Sequence, residues 1–270
     1  MAKVLMKGNE AIGEAAIKAG CLNYFAYPIT PQTEVAEYLC RRLPEENGVF
    51  LQAESEVAAS YMLFGAAGAG ERVFTTSSSP GISLMGEAIS YMAGAQLPAV
   101  LVNIMRGGPG LGGILPAQGD YFQATKGGGH GDYRLLTLAP ASVQEAVEMV
   151  MEAFTLAEKY RNPVMILGDG SLGQMMEPVE FPGGLTTAPS NKDEWATNGM
   201  GNRNSNKPNI VKSLFLTDTD LNENNLVLKA KYEEMKKHEI RYESYNTDGD
   251  YQLLLVSFGM MSRICKSAID

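Results

Sequence analysis

The chain is poor in the residues that build metal centres and disulfide frameworks. Its 270 residues include three cysteines, two histidines and one tryptophan. Cys21, Cys40 and Cys265 are too widely spaced for the paired-cysteine motifs of zinc or iron–sulfur sites, and they fit a reducing compartment. We therefore expect a cytoplasmic protein, with no metal ion and no iron–sulfur cluster on this chain.

A basic surplus and long apolar runs are also missing. The formal net charge is −9, which leaves no excess of cations to neutralise phosphates, so we expect no nucleic-acid partner. No stretch reaches the ~18 uninterrupted apolar residues of a membrane span, and the N-terminus has no signal-peptide run. The sequence predicts a soluble protein that does not enter a membrane.

Short apolar segments alternate with helical patterns over the first two thirds of the chain. The alternation predicts a parallel sheet with helices on both faces, which is an α/β fold. The predicted strands are residues 24–27, 49–51, 72–75, 98–105, 135–138 and 164–167.

Three helices are clearly marked in the sequence. Thr30-Pro31 and Ser79-Pro80 each place a hydroxyl residue before a proline, which predicts an N-cap followed by the first helical residue. A third helix is predicted from Ser142 to Tyr160 by apolar residues at helical spacing.

The composition divides the chain into three parts. Residues 1–182 carry the alternating pattern, and residues 183–249 predict a linker or surface excursion, with Trp195 as its large apolar anchor and a polar helix at 229–238. Residues 250–270 predict a strand at 252–257 and a helix at 260–269, the start of a second, truncated α/β domain. One strand and one helix cannot bury their own faces, so we expect a partner to cover Leu253, Leu255 and Ile264.

A glycine-rich loop follows the strand at 98–105. Gly108, Gly110 and Gly113 match a dinucleotide fingerprint with Asp132 downstream, but Pro109 interrupts it and no helix is predicted at Gly113. Arg106 opens this loop at the carboxyl end of a strand, where it could hold a carboxylate; the alternative is a surface ion pair.

Two acids and a hydroxyl have both a structural and a functional interpretation. Glu56 precedes the run Val57 to Ala59 and is expected to be partly buried, with Glu54 facing solvent; a first-turn acid also complements the helix dipole. Thr30 is predicted to be an N-cap, and its position at a strand end would also put its hydroxyl near a ligand; the two roles are compatible. Asp169, in a Gly-Asp-Gly triplet with Asn198 downstream, resembles the Mg²⁺ motif of thiamine diphosphate enzymes, although the segment between them is predicted to be a loop.

Five segments resemble, in order, the α subunit of 2-oxoacid:ferredoxin oxidoreductases, most closely the branched-chain type. They are Tyr27-Pro-Ile-Thr-Pro-Gln-Thr33, Gln52-Ala-Glu-Ser-Glu56, Thr76-Ser-Ser-Ser-Pro-Gly-Ile-Ser-Leu84, Arg106-Gly-Gly-Pro-Gly110 and Gly129-His-Gly-Asp-Tyr-Arg134. The resemblance implies that residues 1–182 form the domain that binds the pyrimidine half of thiamine diphosphate.

The resemblance also implies roles for individual residues. Glu56 matches the catalytic glutamate that contacts the aminopyrimidine ring nitrogen of the cofactor. Thr30 and Arg106 match positions that hold the carbonyl and carboxylate of the 2-oxo acid. The remaining expected contacts are cofactor-binding Pro28, Ser79 and Gly81, and His130 at the rim of the site.

The implied reaction is the oxidative decarboxylation of a branched-chain 2-oxo acid to acyl-CoA, with electrons passed to ferredoxin. A β subunit would bind the diphosphate and Mg²⁺, and the iron–sulfur clusters would lie on partners, including γ and ferredoxin-like δ subunits. Three alternatives stay open: a 2-oxoglutarate enzyme, a transketolase-like thiamine enzyme without electron transfer, and a dinucleotide-binding module.

Overall fold

The computed structural model describes residues 3–183, 191–199 and 207–270. The strands are β1 (Val4–Lys7), β2 (Asn23–Ala26), β3 (Val49–Gln52), β4 (Val73–Ser77), β5 (Ala99–Met105), β6 (Leu136–Leu138), β7 (Pro163–Asp169) and β8 (Met176–Val179). The helices are α1 (Gly8–Lys18), α2 (Thr33–Glu45), α3 (Glu56–Gly68), α4 (Ser79–Gly94), α5 (Tyr121–Lys126), α6 (Val143–Tyr160), α7 (Gly170–Gln174), α8 (Lys192–Trp195), α9 (Asp218–His238) and α10 (Met260–Ile269).

Six parallel strands form the central sheet in the order β3-β2-β4-β5-β7-β6. All six were predicted from the sequence, and the α/β prediction is confirmed. Strands β4, β5 and β7 are buried along their whole length, as expected of a parallel sheet covered on both faces. β1 and β8 pair antiparallel in a separate two-stranded sheet.

Successive side chains of a strand point to opposite faces, so the sheet has two cores. Phe74, Val102 and Ile104 face a core that also contains residues of α1, α2 and α6. Val73 and Leu101 face a second core that contains residues of α3 and α4. The face on which a residue of β4 or β5 lies therefore follows from its place in the strand.

The predicted start of α6 is confirmed. Ser142 is its N-cap, and its hydroxyl accepts a hydrogen bond from the backbone N–H of Glu145 at 3.1 Å. The carboxylate of Glu145 in turn accepts from the N–H of Ala141 at 2.8 Å. This reciprocal arrangement satisfies backbone donors that the helix itself cannot.

Replacing the Ser142 hydroxyl tests how much this cap stabilises the fold. We expect Ser142→Ala to lower the free energy of unfolding by about 1 kcal/mol, because the Glu145 N–H loses its acceptor. Urea denaturation followed by circular dichroism measures the change. Ser257→Ala, at an exposed position, is the control, and equal stability of the two variants would contradict the assignment.

The other two predicted helix starts are wrong by two residues and one residue, respectively. α2 begins at Thr33 with Gln32 as its N-cap. The N–H of Gln32 donates to the carbonyl of Ile29, so the Thr30 hydroxyl does not cap it. α4 begins at Ser79 itself, with Ser78 as N-cap. The Ser79 hydroxyl makes tertiary contacts instead of a cap.

The segment predicted to be a linker or surface excursion, residues 183–249, is more helical than predicted. α9 extends over 21 residues instead of ten, and Leu228 and Met235 on it are buried. Trp195 packs on the second core as the predicted anchor, with the Arg161 guanidinium 4.7 Å from its ring centroid. Residues 184–190 and 200–206 of the predicted excursion lie outside the described part of the chain.

The last segment is partly as predicted. α10 matches the helix expected at 260–269, but the strand expected at 252–257 is wrong. In the described part of the chain no strand pairs with residues 252–257, so their backbone has no inter-strand hydrogen bonds. Leu253, Leu255 and Ile264 are exposed, and their covering by a partner stays a prediction.

None of the helices in the described ranges is both long and apolar enough to cross a membrane.

Candidate functional site

Buried polar side chains gather where the strands β2, β4 and β5 end. A parallel sheet normally binds its ligands at this carboxyl edge. Several of these side chains have a buried polar atom without a hydrogen-bond partner in the described structure, which is uncommon inside a protein. The atoms are Gln32 Nε2, Thr75 Oγ1, Ser77 Oγ, Ser78 Oγ, Asn103 Oδ1 and Arg106 Nε.

Glu56 is the buried acid of this edge. It is the first residue of α3, whose N-cap Ser55 accepts a hydrogen bond from the N–H of Ala58. Its side chain is 7% exposed, and within the described residues it makes neither a hydrogen bond nor an ion pair. Glu54, two residues earlier, is exposed, as predicted. A buried carboxylate without a protein partner is costly, so a ligand that donates to it would be bound favourably.

Gly81, in the first turn of α4, leaves space beside this carboxylate. A Cβ at Gly81 would lie 2.9 Å from Glu56 Oε1 and 2.1 Å from Ser77 Oγ. The predicted residues Glu56 and Gly81 are thus brought together, with the Ser77 hydroxyl against the same glycine. This group lies on the α3 and α4 face of the sheet.

Arg106 lies on the other side of the same edge. Its guanidinium donates from Nη1 to the carbonyl of Thr30 and from Nη2 to the carbonyl of Leu111, both at 3.0 Å. It is 6% exposed and forms no ion pair among the described residues, so the alternative of a surface ion pair is wrong. A buried guanidinium without a counter-ion, and with Nε unpartnered, is suited to an anionic ligand.

Ser79 links the two groups. Its hydroxyl accepts from the backbone N–H of Arg106 at 3.1 Å and lies 2.5 Å from Asp120 Oδ2. Asn103 Nδ2 donates to the same carboxylate oxygen at 2.9 Å. The first turn of α4, which carries Gly81, is therefore tied to the start of the Arg106 loop.

The segment that joins β2 to α2 supplies backbone carbonyls to the site. Besides the Thr30 carbonyl on Arg106, the Pro31 carbonyl accepts from Asn9 Nδ2 at 2.8 Å. Thr30 is exposed, which leaves its side chain open to a ligand. Pro28 is half-buried in the same segment, and its predicted cofactor contact stays a prediction.

His130 does not join these residues. Its carbonyl accepts from the Ser90 hydroxyl at 2.7 Å and its ring packs edge-on against Tyr91. Ser90 lies three turns of α4 beyond Ser79, roughly 16 Å along the helix axis. The imidazole is exposed on the flank of α4, so its predicted place at the rim stays a prediction.

Two motif interpretations find no structural support. No helix follows Gly113 until α5 begins at Tyr121, so the glycine loop offers no helix N-terminus to a pyrophosphate. Asp169 Oδ1 caps α7 by accepting from the N–H groups of Ser171 and Leu172 at 3.0 Å. Asn198 follows Thr197, which donates to the C-terminal end of α3, at the opposite edge of the sheet from Asp169. Within the described ranges no group of three metal-ligating His, Cys, Asp or Glu side chains occurs.

Sequence reasoning missed Gln32, Ser77, Asn103 and Asp120. Asn103 had a usable signal, because it is the one polar residue in an otherwise apolar strand, whereas Ser77 follows two other polar residues in its strand. Gln32 and Asp120 lie in connecting segments, where a polar side chain is ordinary.

The fold and the site together define a cofactor-binding domain of the α/β class, with a buried acid on one side of the sheet edge and a buried guanidinium on the other. The family described as pyruvate flavodoxin/ferredoxin oxidoreductase, thiamine-diphosphate-binding, matches residues 14–244, and the chain belongs to that family.

Relatives of named function are similar to this chain over nearly all of its length. The ketoisovalerate oxidoreductase subunit VorB of Methanothermobacter thermautotrophicus is 50% identical over all of this chain and 75% of its own length. The 2-oxoglutarate synthase subunit KorA of Archaeoglobus fulgidus is 38% identical over 98% of this chain and 75% of its own.

A solved structure is also similar. It is the 2-oxoglutarate:ferredoxin oxidoreductase from Magnetococcus marinus with 2-oxoglutarate, coenzyme A and succinyl-CoA bound, with a TM-score of 0.78 and 29% identity. The match covers 90% of this chain and 46% of that chain, so this chain spans under half of the solved subunit.

Proposed function

We propose that this chain is the pyrimidine-binding subunit of a thiamine diphosphate-dependent 2-oxoacid:ferredoxin oxidoreductase that acts on a branched-chain 2-oxo acid. The observation that carries the proposal is the buried, unpartnered Glu56 against Gly81, joined through Ser79 to the buried Arg106. The 50% identity to a ketoisovalerate oxidoreductase subunit supports the branched-chain substrate, 3-methyl-2-oxobutanoate.

The residues on the α3 and α4 face fit the aminopyrimidine half of thiamine diphosphate. When bound, the cofactor supplies the carbon nucleophile and the electron sink that decarboxylation requires. Glu56 would exchange a proton with the ring nitrogen, and the bound ring would cover the small part of the side chain, 7%, that is exposed. Gly81 leaves the space beside the carboxylate, since any Cβ there would fill it.

The residues on the opposite face fit the substrate. The Arg106 guanidinium would hold the carboxylate of the 2-oxo acid and fix its orientation before CO₂ leaves. Its hydrogen bonds to the Thr30 and Leu111 carbonyls position it without neutralising its charge. We assign to the exposed Thr30 hydroxyl a hydrogen bond to the carbonyl oxygen of the substrate.

The overall reaction converts a 2-oxo acid and coenzyme A into acyl-CoA and CO₂ and releases two electrons and one proton. We propose that the two electrons pass to ferredoxin through iron–sulfur clusters on partner subunits. We also propose that a β subunit binds Mg²⁺ and the diphosphate. The γ and ferredoxin-like δ subunits and a cytoplasmic location stay predictions from the sequence.

An exposed apolar surface beside the site supports a covering partner. Leu111, Ile114 and Leu115 on the Arg106 loop and Phe122 on α5 are 62–80% exposed. Contiguous exposed apolar side chains next to a ligand site are typical of a protein interface. A β subunit that completes the cofactor site would cover them.

The complex reconstituted with its partner subunits tests the proposal. We expect 3-methyl-2-oxobutanoate to drive coenzyme A-dependent reduction of ferredoxin faster than 2-oxoglutarate does. Preference for 2-oxoglutarate would assign the chain to that type instead. Decarboxylation or carboligation without ferredoxin reduction would identify a transketolase-like enzyme and contradict the proposal.

The space beside Gly81 gives a direct test of cofactor binding. We expect Gly81→Ala to weaken thiamine diphosphate binding by at least about tenfold, because its methyl group would collide with Ser77 Oγ and displace the Glu56 carboxylate. Calorimetric titration of the complex with thiamine diphosphate measures this. Gly65→Ala is the control, since nothing lies within 4 Å of a Cβ there and alanine favours the helix. Equal affinity of the two variants would contradict the pyrimidine site.

A further inference from the structure

Gln32 is a buried polar residue with no role in the proposed reaction as described above. It is 0% exposed and occupies the N-cap position of α2, but its side chain makes no capping hydrogen bond. The amide therefore does not serve the role that an N-cap side chain usually has.

The orientation of this amide is fixed by a chain of hydrogen bonds. The Thr76 hydroxyl donates to Gln32 Oε1, and the Tyr24 hydroxyl is 2.7 Å from Thr76 Oγ1. Because Thr76 donates its one hydroxyl proton to Gln32, the Tyr24 hydroxyl must be the donor in its hydrogen bond with Thr76. The Gln32 carbonyl oxygen thus faces Thr76, and Nε2 points away from it with both N–H groups unpartnered in the described chain.

The alternation of the strands separates the two halves of the site. Thr76 follows Phe74 by two residues and Arg106 follows Ile104 by two, so both continue the face that carries the α1, α2 and α6 core. Glu56 and Gly81 lie on helices of the other face. Gln32 therefore shares its side of the sheet with Arg106 rather than with the cofactor acid.

The backbone brings Gln32 close to the Arg106 guanidinium. Arg106 Nη1 donates to the carbonyl of Thr30, two residues before Gln32. A Cβ at Gly170 would touch Pro31 at 3.3 Å and Pro116 at 3.4 Å, and Pro116 pairs with Arg106 in an isolated bridge. The segments that carry Gln32 and Arg106 thus meet around one glycine.

We propose that the Gln32 side-chain amide is a further substrate-binding residue, which donates from Nε2 to an oxygen of the 2-oxo acid held by Arg106. The inference rests on the proposed function for the identity of the ligand. Two buried donors on this side of the sheet, Gln32 Nε2 and Arg106 Nε, have no hydrogen-bond acceptor within the described protein. A 2-oxo acid provides three acceptor oxygens, two in its carboxylate and one in its carbonyl group.

Gln32→Glu removes the donors and retains an oxygen that accepts from Thr76. In the reconstituted complex we expect the KM for 3-methyl-2-oxobutanoate to rise about tenfold or more, with the affinity for thiamine diphosphate unchanged. Gln52→Glu is the matched control, because it adds the same charge at the exposed end of β3. Thr76→Val, which releases the amide from its anchor, should raise the KM by a smaller factor.

Two readouts separate the failure of this inference from the failure of the proposed function. The melting temperature shows whether each variant is folded, and calorimetry with 3-methyl-2-oxobutanoate measures binding without turnover. An unchanged KM and substrate affinity in folded Gln32→Glu would overturn the inference while leaving the function intact. If Gln32→Glu weakens substrate binding but the wild-type complex does not reduce ferredoxin, the inference is supported and the proposed function is overturned. A wild-type complex that binds no 2-oxo acid would overturn both.

Discussion

Glu56→Gln is expected to slow ferredoxin reduction at saturating substrate by at least about 100-fold. A glutamine preserves the shape of the side chain and its burial against Gly81, but it cannot transfer a proton to the ring nitrogen of the cofactor. Because the carboxylate makes no hydrogen bond within the described protein and glutamine has nearly the same shape, the substitution breaks no internal hydrogen bond and keeps the packing against Gly81, so the melting temperature should change little. The loss would therefore reflect chemistry rather than folding.

Glu54→Gln is the matched control for this experiment. It removes the same charge two residues away, at an exposed position just before α3. We expect it to reduce ferredoxin as fast as the wild-type complex does. A Glu56→Gln complex that turns over at a near-native rate would remove Glu56 from the reaction.

The fold was predictable because its signals are local. Alternating apolar segments fix the six parallel strands, and Ser142 with Glu145 marks the start of α6 by hydrogen bonds between near neighbours in sequence. The burial of Glu56 followed from the apolar run after it. Each of these features depends on residues a few positions apart.

The parts that sequence reasoning missed depend on contacts between distant segments. Ser79 has the sequence pattern of an N-cap, yet its hydroxyl forms a hydrogen bond with the carboxylate of Asp120, 41 residues away. The N–H of Gln32 bonds to Ile29, and its side chain is held by Thr76, 44 residues away. The segment 252–257 has the composition of a strand but pairs with no strand of the described chain. Local sequence propensity cannot predict these features, because contacts with distant segments of the chain determine them.

Arg106→Lys is expected to lower kcat/KM for the oxo acid substrate by roughly 10- to 100-fold, mainly through a higher KM. The charge is retained, but a single ammonium cannot hold the Thr30 and Leu111 carbonyls and a substrate carboxylate in the geometry of a planar guanidinium.

Arg134→Lys is the control for this substitution. Like Arg106, Arg134 donates to two backbone carbonyls, those of Asp132 and Tyr133, but it lies away from the sheet edge that carries the site. Initial rates over a range of 3-methyl-2-oxobutanoate concentrations give kcat and KM for both variants. If Arg106→Lys changed kcat alone and left KM as in Arg134→Lys, the guanidinium would not be the group that holds the substrate carboxylate, and its burial without a counter-ion would require a different anionic ligand.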